Sequence, residues 1–304
     1  DRVVPYTLAQ ATRRDGVLAA MPVDIGPGTL LYRHDICTKA GVGEAMLTES
    51  WASFIAAGQQ IKARTGALLV PNAQSLADLF VRSNVKSGEG IFFDDEDRPL
   101  LQTPRFERAF ELARQVREAG LDGKFSPWTN EWVEGFKRGS FATEMSGAWL
   151  AGHLARYMAP LTKGLWRAAQ LPGGAFASWG GSFYAIPKQI APERKLAAWR
   201  FIEFLATHRE MQLEALRQLD AYPSLIAAAQ DDFMDQPIEF LGGQRARQLW
   251  RAASTKIPAL LVNKLDPIAR EIITGELDRV LEGGKRIPAA LRDAQRKVER
   301  RVRR

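Results

Sequence analysis

The stretch Val17 to Tyr32, VLAAMPVDIGPGTLLY, constrains this chain more than any other. It is almost wholly apolar, yet Pro22, Asp24, Gly26, Pro27 and Gly28 forbid a helix across it. The backbone must therefore run extended, with its apolar side chains covered. The interruptions predict two short strands split at Asp24 to Gly28, a place where a chain can cross between lobes.

Beyond Tyr32 the chain is mostly helical, with clear start and stop signals. LTESWASFIAAGQQIKARTG reads as an amphipathic helix with Thr48 or Ser50 as its cap and Gly66 as its stop. LADLFVRSNV is a second helix. IFFDDEDRPLLQ reads as strand, acidic turn and strand. The four acids Asp94 to Asp97 lack the alternation, central glycine and distal glutamate of a calcium loop, so they are read as a solvated hairpin turn. TPRFERAFELARQVREAGL predicts a helix capped by Thr103, opened by Pro104 and closed at Gly120. NEWVEGFKRGSFATEMSGAWLAGHLARYM predicts a helix, a glycine break, a short strand around Ala142 to Met145, and another helix after Trp149. Phe183 to Ile186 supplies a strand. Two helices fill PERKLAAWRFIEFLATHREMQLEALRQL, Tyr222-Pro223 breaks them, and helices return in AREIITGELDRVLEGG and IPAALRDAQRKVERRV. Strands alternate with helices, without repeats or low-complexity linkers, which argues an α/β fold.

Composition narrows the function by exclusion. The 304 residues suffice for two ordinary domains, and 46% hydrophobic with 25% charged residues is the profile of a globular chain. No apolar run approaches the roughly 20 residues that span a bilayer. Forty-two Lys and Arg against 35 Asp and Glu give a net charge of +7. Much of that surplus lies in KVERRVRR, on a helical pattern that reads as a solvated face. No zinc knuckle, RNA-binding motif or phosphate loop supports nucleic acid as a partner. Cys37 stands alone, so it forms no internal disulfide and reads as a small buried hydrophobe. His34, His153 and His208 are scattered without metal-binding or triad spacing, and no cofactor or metal is expected.

SWGGSFYAIPK, Ser178 to Lys188, sets two glycines between aromatic rings. A strand-entry bulge or a turn accounts for it, and so does the gripping of a flat ligand.

Four features taken together resemble one family, the extracytoplasmic solute-binding proteins of carbohydrate ABC transporters, with a maltose-binding-protein-like fold. They are PVDIGPGTLLYRHDICTKAGV (Pro22 to Val42), the Trp51 to Phe54 helix start, FKRGSFATEMSGAWLAGHL, and the series LPGG, SWGGSFYAIPK, AAWRFIEFLA. Their order and spacing cover nearly the whole chain. Ala142-Thr-Glu-Met145 stands where the family has alanine-methionine.

The resemblance implies a periplasmic-binding-protein type II fold, two α/β lobes with a ligand cleft at the hinge. Chain crossovers would lie near Asp24, near Gly180 to Phe183 and near Tyr222 to Leu225. Residues 1–23 and 184–222 would belong to the N-terminal lobe, and 24–183 with 223–304 to the C-terminal lobe. Family members carry a longer leading segment than stands here, so the N-terminal lobe is expected to be partial in this sequence and the gene product longer. The implied function is capture of a sugar by lobe closure and delivery to membrane permease subunits, by a periplasmic or lipid-anchored monomer.

A sugar needs aromatic platforms for its apolar faces and fixed polar groups for its hydroxyl rim. Trp149, behind Gly147, is the expected platform, with core packing as its other reading. Asp24 is the expected hydroxyl acceptor, or else a turn cap. Gly180, Gly181 and Ser182 are expected to provide hinge freedom and polar backbone, with Trp179, Phe183 and Tyr222 lining the cleft. Trp128 and Trp132 either add stacking or staple a helix start. Two other functions fit the same residues less directly. One is an anionic solute, such as a glycerophosphodiester or a sulfonated or phosphorylated sugar. The other is glycoside hydrolysis, which requires two carboxylates at a set separation. The acids here lie mostly on helix faces or in the Asp94 to Asp97 turn, so the chain is read as a non-enzyme.

Overall fold

A computed structural model describes residues 2–13, 15–86 and 88–303. Its organising element is one strand, β1 (Met21–Arg33), of 13 residues. The two short strands expected here are thus a single one. Antiparallel strands flank it along its whole length, but the partners change halfway. From Gly28 to Arg33 it lies between β2 (Thr143–Gly147) and β3 (Trp166–Ala169). From Met21 to Pro27 it pairs with β4 (Ser178–Tyr184), and at Asp24 and Ile25 also with the two-residue β5 (Tyr222–Pro223). The glycines and prolines mark the exchange of partners rather than a break in the strand.

The upper half of β1 is buried on both faces, which is why its sequence reads as a continuous apolar run. Side chains alternate across a strand. Leu30 and Tyr32 enter one core cluster, and Leu31 between them enters the other. The first cluster is built by helices Trp51–Thr65, Ala73–Ser83, Pro104–Glu118, Asp266–Leu281 and Ile287–Val302. The second gathers Trp132, Phe136, Phe141, Leu150, Trp166 and Trp250.

Local signals predict most of these helices. Ser50 caps the Trp51 helix through a reciprocal pair of 3.0 Å bonds with Ser53, and Gly66 ends it in the left-handed region at φ 77°. Thr48 instead closes the preceding short helix Glu44–Thr48. Thr103 does stand before Pro104, but its hydroxyl donates back to the Leu100 carbonyl at 2.8 Å and accepts nothing from the helix. The expected hairpin at Ile91–Gln102 reduces to a single bridge, Phe93 to Pro99. Its acids serve the turn: Asp94 accepts the Glu96 and Arg98 amides. The strand expected at Phe183 to Ile186 begins earlier, at Ser178, so Gly180 and Gly181 lie inside it. Cys37 is 1% exposed, and burial pushes its thiol up to about 12, as befits a packing residue.

Residues around the lower half of β1 pack less completely. Helices Pro192–Thr207 and Arg209–Leu219 lie beside it; Leu216 of the second joins Ile25 and Tyr222 in the second cluster, and Leu213 packs with Leu225 and Ala228 in a small separate one. Leu196, Trp199, Phe201 and Phe204 on the first helix remain exposed.

Candidate functional site

The three segments expected to be chain crossovers are hydrogen-bonded neighbours. Asp24 stands opposite Ser182 on one side and Pro223 on the other; Ile25 stands opposite Gly181 and Tyr222. Two irregularities shape this junction. On β1, Val23 is the extra residue between Pro22 and Asp24, and its carbonyl accepts Gln212 Nε2 at 2.7 Å. On β4, the extra residue falls at Trp179–Gly180, where Gly180 and Gly181 take φ of 88° and 116°. The bulge expected as one reading of SWGGSFY is thus present, and it falls at the same two glycines that the other reading made a hinge.

Gln212 was not legible as a junction residue. Its buried amide bonds the Val23 and Leu205 carbonyls, and its oxygen accepts the Ser224 and Leu225 amides at 3.1 and 3.3 Å. Ser224 Oγ adds a 3.0 Å bond to the Pro22 carbonyl. One side chain thus satisfies buried backbone groups from several of the segments that meet here.

Asp24 is half-buried, and desolvation raises its carboxyl above the usual range, partly offset by hydrogen bonding from the Ser182 side chain and amide. Tyr6, which sequence reading did not single out, lies near it. Its phenol is pushed up to about 12, chiefly by burial, and accepts the Ser178 hydroxyl at 3.5 Å. Gly180, Gly181 and Ser182 are exposed beside Asp24, and Phe183 is half-buried opposite Pro22.

Trp149 packs against the junction at Gly26 and Gly180. Its indole N–H donates to the Trp179 carbonyl at 2.8 Å. A Cβ on Gly26 would strike that same carbonyl, and one on Gly147 would strike both it and the indole nitrogen. Bare backbone on two strands is what lets the ring settle there. One face of Trp149 is covered by Trp128, with centroids 5.7 Å apart and planes 14° from parallel.

The eight residues expected at the site are therefore contiguous in backbone, but their side chains divide. Asp24 and the exposed Ser182 stand opposite each other, and the Trp149 ring lies against Gly26, Gly180 and the Trp179 carbonyl. The Trp179 ring turns toward the first core cluster, under the Arg82 guanidinium at 5.2 Å. Tyr222 is 1% exposed, and its phenol sits within the second cluster, raised by burial and partly pulled back by Arg251 and Arg247. Among the described residues no group of His, Cys, Asp and Glu could hold a metal ion, and no helix is long and apolar enough to cross a membrane.

Comparison with known proteins agrees with this architecture. Residues 4–240 match the profile of the bacterial extracellular solute-binding proteins. A lactose-binding protein of Rhizobium radiobacter is 26% identical over 268 residues, covering 83% of this chain and 61% of its own length. The chain thus spans about three fifths of that relative. A crystal structure of an extracellular solute-binding protein of family 1 superposes with a TM-score of 0.84 at 25% identity, over 98% of this chain and 77% of the other. An ABC-transporter-associated binding protein from B. animalis subsp. lactis, in complex with β-1,6-galactobiose, shares the fold with a TM-score of 0.79 at 21% identity, over 98% and 76%.

Proposed function

The chain belongs to the bacterial extracellular solute-binding proteins, and from that premise we propose that it captures a sugar or oligosaccharide outside the cytoplasm and hands it to an ABC permease. The observation that carries this reading is that Asp24 pairs with Ser182 where three chain segments meet, two residues from Gly26 and Gly180, against which the Trp149 ring packs. A carboxyl and a hydroxyl beside indole rings match a ligand with a hydroxyl rim and apolar faces. The relatives support the ligand class: one is named for lactose, and another was crystallised with a galactobiose.

The mechanism is capture without bond breaking. Residues 1–23 with 184–222 form one lobe, and 24–183 with 223–304 the other. Ligand contacts to both lobes favour the closed state over the open one by their difference in affinity. Crossing strands make a pivot, and Gly180 and Gly181 absorb the dihedral change, since hinges act at a few residues near element ends. Asp24 accepts ligand hydroxyls, and the closed protein docks as a monomer on permease subunits, from the periplasm or from a lipid anchor.

Isothermal titration and thermal unfolding against lactose, β-1,6-galactobiose and maltose test the reading. At a hundred times its Kd a true ligand raises stability by about 2.7 kcal/mol. Asp24→Asn is expected to weaken that ligand about tenfold, or about 1.4 kcal/mol. Folded protein that responds to none of these sugars, or an Asp24→Asn variant of full affinity, would count against the site as drawn.

A further inference from the structure

Trp128 and Trp132 part ways in the fold. Trp132 is 3% exposed, and its indole N–H donates to the buried Glu144 carboxyl at 3.0 Å. Glu144 comes from the Ala142-Thr-Glu-Met145 variation, and burial pushes its carboxyl up to about 8. Trp132 is therefore a fixed interior ring. Trp128 is 63% exposed.

The backbone under Trp128 is unsuited to a bulky residue. Ser126 to Thr129 form a turn closed by the Thr129 amide on the Ser126 carbonyl at 3.3 Å. Pro127 takes its second position, and Trp128 its third at φ 69°. Turns with positive φ at that position favour glycine or asparagine. A large ring persists in such a conformation only where its surroundings over-determine it, and such strain gathers at ligand sites.

Those surroundings hold one side of the ring. Trp128 packs on Trp132 at 5.3 Å, near-parallel on Trp149 at 5.7 Å, and against the His153 edge at 6.1 Å. Trp149 cannot retreat, since the Trp179 carbonyl and the bare glycine backbone pin it. Its N–H is used and Trp128 lies over one of its faces, while Trp128 itself is mostly exposed and so presents open aromatic surface. The row continues along one helix face, from Trp149 to His153 at 5.3 Å and to Tyr157 at 6.3 Å. Tyr157 is 72% exposed.

Resting on the sugar-binding reading, we propose that Trp128 is the sugar-stacking platform of this site, with Trp149 as its rigid backing. The row toward Tyr157 extends the site to a ligand of two or more rings. Exposed indole faces backed by fixed rings concentrate binding energy.

The test compares Trp128→Gly and Trp149→Ala with the wild type in titrations with lactose, β-1,6-galactobiose, maltose and galactose. Glycine adopts φ 69° freely. Trp128→Gly is therefore expected to keep the wild-type melting temperature or exceed it. It should lose at least tenfold in affinity for the disaccharide that wild type binds, and less for galactose. Trp128→Asn, also suited to the turn, should behave alike, and Trp128→Phe should retain most of the affinity. Full disaccharide affinity in folded Trp128→Gly, with loss only in Trp149→Ala, would overturn the proposal and leave the sugar reading standing. Tighter binding by Trp128→Gly would also overturn it, by making the ring an obstacle. A wild type that binds none of the sugars would remove the underlying reading, and the proposal with it.

Discussion

The two halves of β1 are read by the same local rules and fare differently. Above Gly28 the strand is sandwiched between two core clusters, and residues 28–33 are all buried. Below it, helix Pro192–Thr207 buries Ile202 and Ala206, while Trp199 and Phe201 stand 40% and 61% exposed. The lower region reaches the second cluster through Ile25, Leu216 and Tyr222 and is tied further by polar bonds, notably the four made by Gln212. Apolar residues on a helix thus predict a buried face only where another layer arrives to cover it.

Substitutions can break this contrast or sharpen it. Phe54→Ala is expected to cost the most. Phe54 is fully buried in the first cluster, and removing such a ring costs about 3–5 kcal/mol, which urea unfolding would read as a lower midpoint at an unchanged slope. A small loss would mean that the upper core is looser than its burial implies. Gln212→Ala comes next. It leaves buried carbonyls and amides unpaired, at about 1–3 kcal/mol for each group that water does not reach. Hydrogen exchange should speed at Ser224 and Leu225 before it does so in the upper sheet; uniform exchange would deny the lower region its dependence on polar bonds. Phe201→Ser should have the least effect, within about 0.5 kcal/mol, because the ring is mostly in water already. A large destabilisation there would show that something covers the helix in solution.

Much of the fold was legible because its causes are local. Ser50, Gly66 and Pro104 set helix ends through bonds and dihedrals within a few residues. The order of motifs also brought Asp24, Gly180 to Phe183 and Tyr222 forward as crossing points, and they are adjacent. The directions of their side chains were not legible. Tyr222 looks the same in sequence whether its ring lines a cleft or fills a core, and here it fills one. Trp128 and Trp132 are four residues apart in one motif, yet only one is buried, because a turn rather than a helix carries Trp128.

What the sequence determined by itself was therefore most of the helices with their starts and stops, and the family to which the order of motifs belongs. Tertiary structure alone decided that β1 is one strand with two sets of partners, that Trp149 is pinned to the Trp179 carbonyl, and that Gln212 ties the junction. Helix caps and turns are decided by neighbours in the chain. Strand partners and buried polar bonds here join segments up to about two hundred residues apart, and no local preference encodes which of them will meet.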